Sequence, residues 1–236
     1  MNSAFVPRHL FVAAFLLLNL ATPSALLRAA EGLLLGPGAP VYETPATSAL
    51  NLSDEVTLEA WILPATLPAG GGRILDKSIP GTQDGYALDT YPGNSLRFST
   101  ANGHCRFEAK LPTNQWTHVA GVYDAKAKRQ QLFVNGREVA RLATGEFPKI
   151  TRTAVPLRLG ADTSGMKGAA SETSYSGIRP GTDGGDEPGN RFVGRIRRAA
   201  IYGRALSAEE IAARAGNPSA AAPSGVLADW VLNARP

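Results

Sequence analysis

Cysteine is almost missing from this chain: of 236 residues, Cys105 is the only one. A single thiol cannot close an intrachain disulfide, so the fold must be held by its apolar core. Next to His104 that thiol invites a metal or nucleophilic reading, but the plain reading is a small, partly buried side chain in a strand. Long apolar runs are scarce as well. The one near the start, residues 10–21, falls short of the about 20 residues that a helix needs to span a bilayer core, and no later stretch is long and apolar enough to span. Nor is charge of one sign in large excess: 24 Lys and Arg stand against 20 Asp and Glu. The net charge of +4 is a mild bias and by itself gives no reason to expect nucleic acid.

What is present begins with a leader. Arg8 and His9 precede the apolar run, and small residues follow at Thr22, Ser24, Ala25, Ala29 and Ala30. This is the layout of a secretory signal peptide, with the alternative of an uncleaved N-terminal anchor. The cut is expected between 24 and 30, and Pro23 sits awkwardly for a cut after Ala25. The expectation is therefore a signal over 1–30 and a secreted or periplasmic domain over 31–236, with no membrane insertion after cleavage. The 25 glycines and 17 prolines suit a β-fold with many short turns.

Val56, Leu58, Ala60 and Ile62 alternate with Thr57, Glu59, Trp61 and Leu63, and Pro64 ends the run. Period two with this bias predicts a strand. Further strands are expected at 73–77, at 85–91 after Asp84-Gly85, and at 95–100 and 105–110, the last two paired across Ala101-Asn102-Gly103. Residues 116–123, WTHVAGVY, are apolar on both faces: Trp116, Ala120 and Val122 on one, Val119 and Tyr123 on the other. That strand belongs in the middle of a sheet with both faces covered. Asn135-Gly136, between the apolar runs 132–134 and 139–142, predicts a hairpin with a type I′ turn. Residues 156–161 and 192–202 supply two more strands.

Ser207-Ala208-Glu209-Glu210 matches a capping box and predicts a helix from there to about residue 215, stopping before Gly216 and Pro218. The run 226–232, with Trp230, is expected to return as an edge strand beside the N-terminal strand. Residues 163–190 are rich in Gly, Ser, Thr and Asp, a long loop that is either functional or disordered. About ten strands, no repeat and one late helix predict an all-β fold of two stacked antiparallel sheets.

Several stretches resemble the laminin-G-like jelly-roll domains of the concanavalin A-like lectin and glucanase superfamily, in the form found in bacterial secreted proteins. They are LNLSDEVTLEAWILP at 50–64, Ile74 to Lys77 with Gly85 to Leu88, WTHVAGVYD at 116–124, LFVNG at 132–136, PLRLGA at 156–161 and IYGRALSAEEI at 201–211. Their order is the family's, and they span about 33–233. The resemblance implies a two-sheet antiparallel jelly-roll sandwich with one short helix near the C-terminus. Trp61 and Trp116 are expected as large apolar anchors between the sheets. It also implies calcium near one rim, held by oxygen ligands. Here the sequence departs from the family. Residues 35–39 carry no carboxylate, and Arg197-Arg198 stand where the family commonly has acids. The remaining metal candidates are Asp84, Asp162, Asp183, Asp186 and Glu187.

Three functions follow as expectations. The first is a non-catalytic binding module for carbohydrate or an extracellular protein, with Tyr86, Tyr91, Asn94 and Tyr175 as ring-stacking and hydrogen-bonding candidates. The second is a binder of acidic or sulfated polysaccharide through a strand bearing Arg195, Arg197 and Arg198, with Arg191 and Arg204 nearby; Arg195 and Arg197 would share a face, and guanidinium forks pair with sulfate or carboxylate. The third is a glycoside hydrolase or lyase on the same fold. The resemblance would place that chemistry in a Glu-x-Asp-x-x-Glu strand, with two carboxylates about 5 Å apart. No such strand occurs: Asp54, Glu55 and Glu59 come nearest, and His104 and His118 have no Ser or Asp partner at a recognisable spacing. A non-enzyme without an obligatory cofactor is expected. Retention on heparin that falls in an Arg197→Ala/Arg198→Ala double variant is what the acidic-polymer reading requires; unchanged retention rules it out.

Overall fold

The alternation at 55–64 becomes the longest strand of the sandwich. The computed structural model describes residues 32–40, 42–44, 46–79, 81–93, 95–108, 110–162 and 190–232. Within these, the strands are β1 (Leu33–Leu35), β2 (Tyr42–Thr44), β3 (Glu55–Pro64), β4 (Arg73–Ser78), β5 (Gly85–Asp89), β6 (Leu96–Thr100), β7 (Gly103–Phe107), β8 (Thr117–Asp124), β9 (Arg129–Val134), β10 (Arg137–Leu142), β11 (Leu157–Leu159), β12 (Gly194–Tyr202) and β13 (Val226–Val231). The helix α1 runs over Ala208–Gly216. Ser207 caps it: the Ser207 side chain accepts from the Glu210 amide, and the Glu210 carboxylate accepts from the Ser207 amide.

Two antiparallel sheets stack as a jelly-roll sandwich. One runs β1-β12-β3-β8-β9-β10, with β13 also on β12; the other runs β2-β11-β4-β5-β6-β7. Period two decides what lies between them. Leu58, Ala60 and Ile62 of β3, Val119 and Tyr123 of β8, and Ile196, Ala199 and Ile201 of β12 share one core with Leu75, Leu88, Leu96, Phe98 and Leu157 of the facing sheet. At Gly121 the facing sheet comes too near for a side chain: a Cβ there would lie 2.6 Å from Cγ of Phe98. The predicted type I′ hairpin forms at Asn135 and Gly136, both at positive φ. Cys105 is buried in the core, where burial pushes its thiol up to about 11, so it stays a protonated apolar filler.

Strand β8 lies between β3 and β9 and is buried along its whole length, as its two apolar faces require. Its second face packs under α1, where Ala120, Val122, Phe133, Ala200, Tyr202, Leu206 and Ile211 form a separate cluster. Beside this cluster, also on the outer side of the sheet, lies a buried polar centre. Glu59 Oε1 accepts from Arg214 Nε at 2.7 Å, from Arg214 Nη2, and from the Tyr202 hydroxyl at 2.8 Å, while Glu59 Oε2 lies 3.4 Å from His118 Nε2. Arg214 projects from α1, so this contact fixes the helix to the sheet.

Two expectations need correction, and one strand was not foreseen. Trp61 is paired opposite His118 and meets it edge to face, on the side of the sheet away from the core, so it is not an anchor between the sheets. The cause is plain alternation: Ala60 and Ile62 point inward, so Trp61 points out. Strand β13 pairs with β12 and not with the N-terminal strand. β1 takes 194–196 of that edge and β13 takes 198–202, with an irregularity at Arg197 between them. Finally, strand β2 pairs with β11 although no sequence pattern announced it.

Burial raises the Glu59 carboxyl, but hydrogen bonds from His118 and Arg214 outweigh it and hold the group at about 2, below its ordinary 4.5. A lowered folded value means that the contribution is complete above about pH 4.5 and is lost as pH falls toward 2. Glu59→Gln leaves Arg214 buried without its counter-charge, at a loss of about 3–5 kcal/mol. Thermal unfolding at pH 7 should show a midpoint lower by roughly 10 °C and a flatter acid limb; a midpoint equal to that of the unaltered chain would refute the role assigned to this pair.

Candidate functional site

With one face of the seven-stranded sheet in the core and much of the other under α1, the outer face of the six-stranded sheet is the broad polar surface. Strand register sorts its side chains into two cross-strand rows. The first runs Glu43, Arg158, Asp76, Ala87, Ser99, His104. The second runs Arg73, Asp89, Arg97, Arg106. Each residue of a row faces outward because its strand neighbours, such as Leu75, Leu88, Phe98 and Cys105, face the core.

The rows are tied together by ion pairs. Arg97 grips Asp89 with two nitrogens, Nε to Oδ1 at 2.9 Å and Nη2 to Oδ2 at 2.6 Å, and its guanidinium lies 4.4 Å from the centre of the Tyr91 ring. Asp89 Oδ1 also accepts from the Tyr91 amide at 3.1 Å. Arg73 donates to Asp89 and, through Nε at 2.9 Å, to Asp162. Asp76 accepts from the amide and hydroxyl of Ser78 at 2.9 and 3.1 Å. Burial drives the Asp76 carboxyl up to about 6, against the pull of Arg73. Ser99 Oγ and His104 Nδ1 are 2.9 Å apart, so the fold supplies His104 with the serine partner that sequence spacing did not. Partial burial, with Arg97 and Arg106 nearby, holds the His104 imidazole below its usual value, which keeps it neutral at pH 7.

Two depressions open onto these rows. The larger, about 430 Å³, is bounded by Arg73, Arg97, Ser99 and His104 and by the 79–85 turn. The smaller, about 130 Å³, is bounded by Gly70, Gly72, Asp89, Tyr91 and Asn190 and again by Arg73 and Arg97. The two guanidiniums are thus common to both.

Of the sequence candidates, Tyr91 and Asp84 reach this region; Tyr91 is 39% exposed at the smaller depression and Asp84 lies on the turn beside the larger. Tyr86 does not. Its inward register leaves it 2% exposed, with its hydroxyl donating to the Leu50 carbonyl, so it offers no ring to a ligand. Asn94, Tyr175, Asp183, Asp186 and Glu187 lie outside the described residues. Asp162 is buried against Arg73 Nε and Asn190 Nδ2, both donors, where a metal ion would need further oxygen ligands. Among the described residues no three Asp, Glu, His or Cys side chains form a metal-holding group. The calcium implied by the resemblance thus finds no ready set of oxygen ligands among the described residues.

The arginine strand also differs from expectation. Arg198 is buried, forked onto Asp229 and bonded to the carbonyls of Pro218 and Ala220. Arg197 lies between Trp61 and Trp116, 4.4 and 4.7 Å from their ring centres, and Arg195 donates to the Gly32 carbonyl. Each of these cations is thus engaged within the chain. Arg73, Asp89, Arg97 and Ser99, which sequence reasoning missed, and His104, which it left without a partner, had a signal of their own. They are polar positions at period two, as in Arg97-Phe98-Ser99 and His104-Cys105-Arg106.

A family profile described as the concanavalin A-like lectin/glucanases superfamily matches residues 38–212. No curated protein matches the sequence. Among solved structures, the chain is similar to a candidate carbohydrate binding protein from Bacteroides ovatus, with TM-score 0.60 and 16% identity over 86% of this chain and 51% of that one. It thus spans about half of that protein. It is also similar to the CBM40 of Ruminococcus gnavus IT-sialidase, a structure with bound α2,3 sialyllactose, with TM-score 0.58 and 20% identity over 79% of this chain and 97% of that one. The botulinum neurotoxin serotype G binding domain gives TM-score 0.53 and 12% identity over 78% of this chain and 41% of that one.

Because Arg198 closes a part-buried pair and bonds two carbonyls, Arg198→Ala should lower the thermal midpoint by several degrees while leaving retention on heparin unchanged. Loss of retention without loss of stability would return this residue to the surface role that its position on the strand suggested.

Proposed function

The chain belongs to the concanavalin A-like lectin/glucanases superfamily, and from that footing we propose that it is an exported, non-catalytic carbohydrate-binding module whose ligand lies along the outer face of the six-stranded sheet. The observation that carries this reading is the pair of adjoining depressions joined by Arg73 and Arg97, with the Tyr91 ring at one end. Sugars are bound by planar, directional hydrogen-bonding groups beside an aromatic edge, and guanidinium–carboxylate pairs supply such groups in fixed positions. The jelly-roll binding modules that share this fold support the assignment to carbohydrate.

The state of the carboxylates supports binding without turnover. A glycosidase needs two carboxyl groups facing one another across the scissile bond. Here Asp76, Asp89 and Asp162 are buried and engaged by Arg73, Arg97, Ser78 or Asn190. Glu59, the nearest acid in the sequence pattern, is buried on the other sheet beneath α1.

A glycan array of neutral and acidic oligosaccharides, followed by calorimetric titration of the best binder, tests the reading. Tyr91→Ala and Arg97→Ala should each weaken binding about tenfold or more, as expected for removal of about 1.5 kcal/mol or more of contact. Arg137→Ala, exposed on the far edge of the other sheet, should bind as the unaltered chain does. Binding indifferent to both groove substitutions would displace the site from this face, and an array with no signal above background would remove carbohydrate as the ligand.

A further inference from the structure

Beneath the junction of the two depressions, three carboxylates from separate parts of the chain converge on one cation. Asp76 comes from β4, Asp89 from the end of β5, and Asp162 follows β11. Arg73 Nε is 3.0 Å from Asp76 Oδ2 and 2.9 Å from Asp162 Oδ2, and Arg73 Nη1 donates to Asp89. The carboxylate side chains are 4%, 1% and 0% exposed, and that of Arg73 is 12% exposed. Around this centre, Arg97 holds the remaining oxygen of Asp89 and Asn190 donates to Asp162 at 2.7 Å.

Carboxylates meeting at one point are the donor type that a hard divalent cation selects. Removed from water, three of them cannot stay ionised together unless positive charge stands among them. In this chain the charge is supplied covalently. Spaced around a planar guanidinium, the carboxylates do not form a metal-holding group as they stand.

We infer that Arg73 is a built-in cation occupying the place a divalent ion would otherwise take, so that the outer face of the six-stranded sheet is assembled, and binds its ligand, without calcium. The guanidinium joins β4 to β5 and to the 162 segment, to which Asn190 is bonded in turn, and Arg73 also forms part of the wall of both depressions. The tether makes the arrangement independent of the calcium concentration outside the protein, and it leaves Arg97 and Tyr91 positioned by Asp89.

The test uses the full chain and reads its thermal midpoint in excess EDTA and in millimolar CaCl2. The unaltered chain should melt at the same temperature in both. Arg73→Ala should melt lower in EDTA and recover by several degrees as CaCl2 is added, since an ion that binds the folded state raises its midpoint. Arg73→Ala/Asp162→Asn, with one ligand neutralised, should show little or no recovery. Arg73→Lys keeps a cation on a tether and should remain indifferent to calcium. The inference is overturned if the unaltered chain or Arg73→Lys responds to CaCl2 or EDTA, or if Arg73→Ala is unmoved by CaCl2 or stays unfolded with and without it. Only the ligand half rests on the carbohydrate reading: a glycan found on the array should be retained equally in EDTA, and loss of binding in EDTA would overturn that half. An array without binders would sink the carbohydrate reading and leave the melting results to decide the role of Arg73.

Discussion

Strand β8 is apolar on both sides, and covering both sides is the constraint that orders the rest of the molecule. Val119 and Tyr123 meet the six-stranded sheet, while Ala120 and Val122 meet Leu206 and Ile211 below the helix. Either face left in water would expose apolar side chains, at roughly 1.5–3 kcal/mol for each large one that should have been buried. The helix therefore has to return across the seven-stranded sheet. Glu59 and Arg214 hold it there by a buried pair that tolerates no missing partner. Once that sheet is covered in this way, the outer face of the six-stranded sheet is left as the broad polar surface.

That surface is charged, yet its charges are largely spent on one another. Arg73, Asp76, Asp89, Arg97 and Asp162 form a connected set in which the carboxylates accept from neighbouring donors. The consequence for binding is entropic. An arginine free in water loses side-chain freedom when it grips a ligand, whereas Arg97, already fixed by Asp89 and laid against Tyr91, loses little. The arrangement favours directional hydrogen bonding over attraction at long range, which agrees with the modest net charge of the chain.

The reading of individual residues succeeded where one strand or turn was enough to determine the answer and failed where a second segment intervened. The Asn135-Gly136 hairpin and the Ser207 capping box depend on a few consecutive residues, and both appear where they were expected. Trp61 was misplaced because its size suggested a core anchor, although its own alternation with Ala60 and Ile62 pointed it outward. Arg198 looked like part of a basic strand until Asp229, brought in on β13, closed over it. The period-two polar residues of β6 and β7 were visible as an outward face, but pairing across strands was needed to show that Ser99 meets His104 and that Asp89 meets Arg97.

The amino-acid sequence by itself determined the fold class, the central position of β8, the hairpin, the helix and the absence of a disulfide, because alternation, turn chemistry, capping and cysteine count are local properties. It also carried the superfamily in its ordered motifs. Tertiary structure alone decided which polar residues meet. Asp76, Asp89 and Asp162 are separated along the chain by other strands and come together around Arg73 only when β4, β5 and β11 align. A carboxylate's partner in a sandwich is set by register and crossover. Whether an arginine binds a ligand or another part of its own chain is therefore decided after the strands have paired.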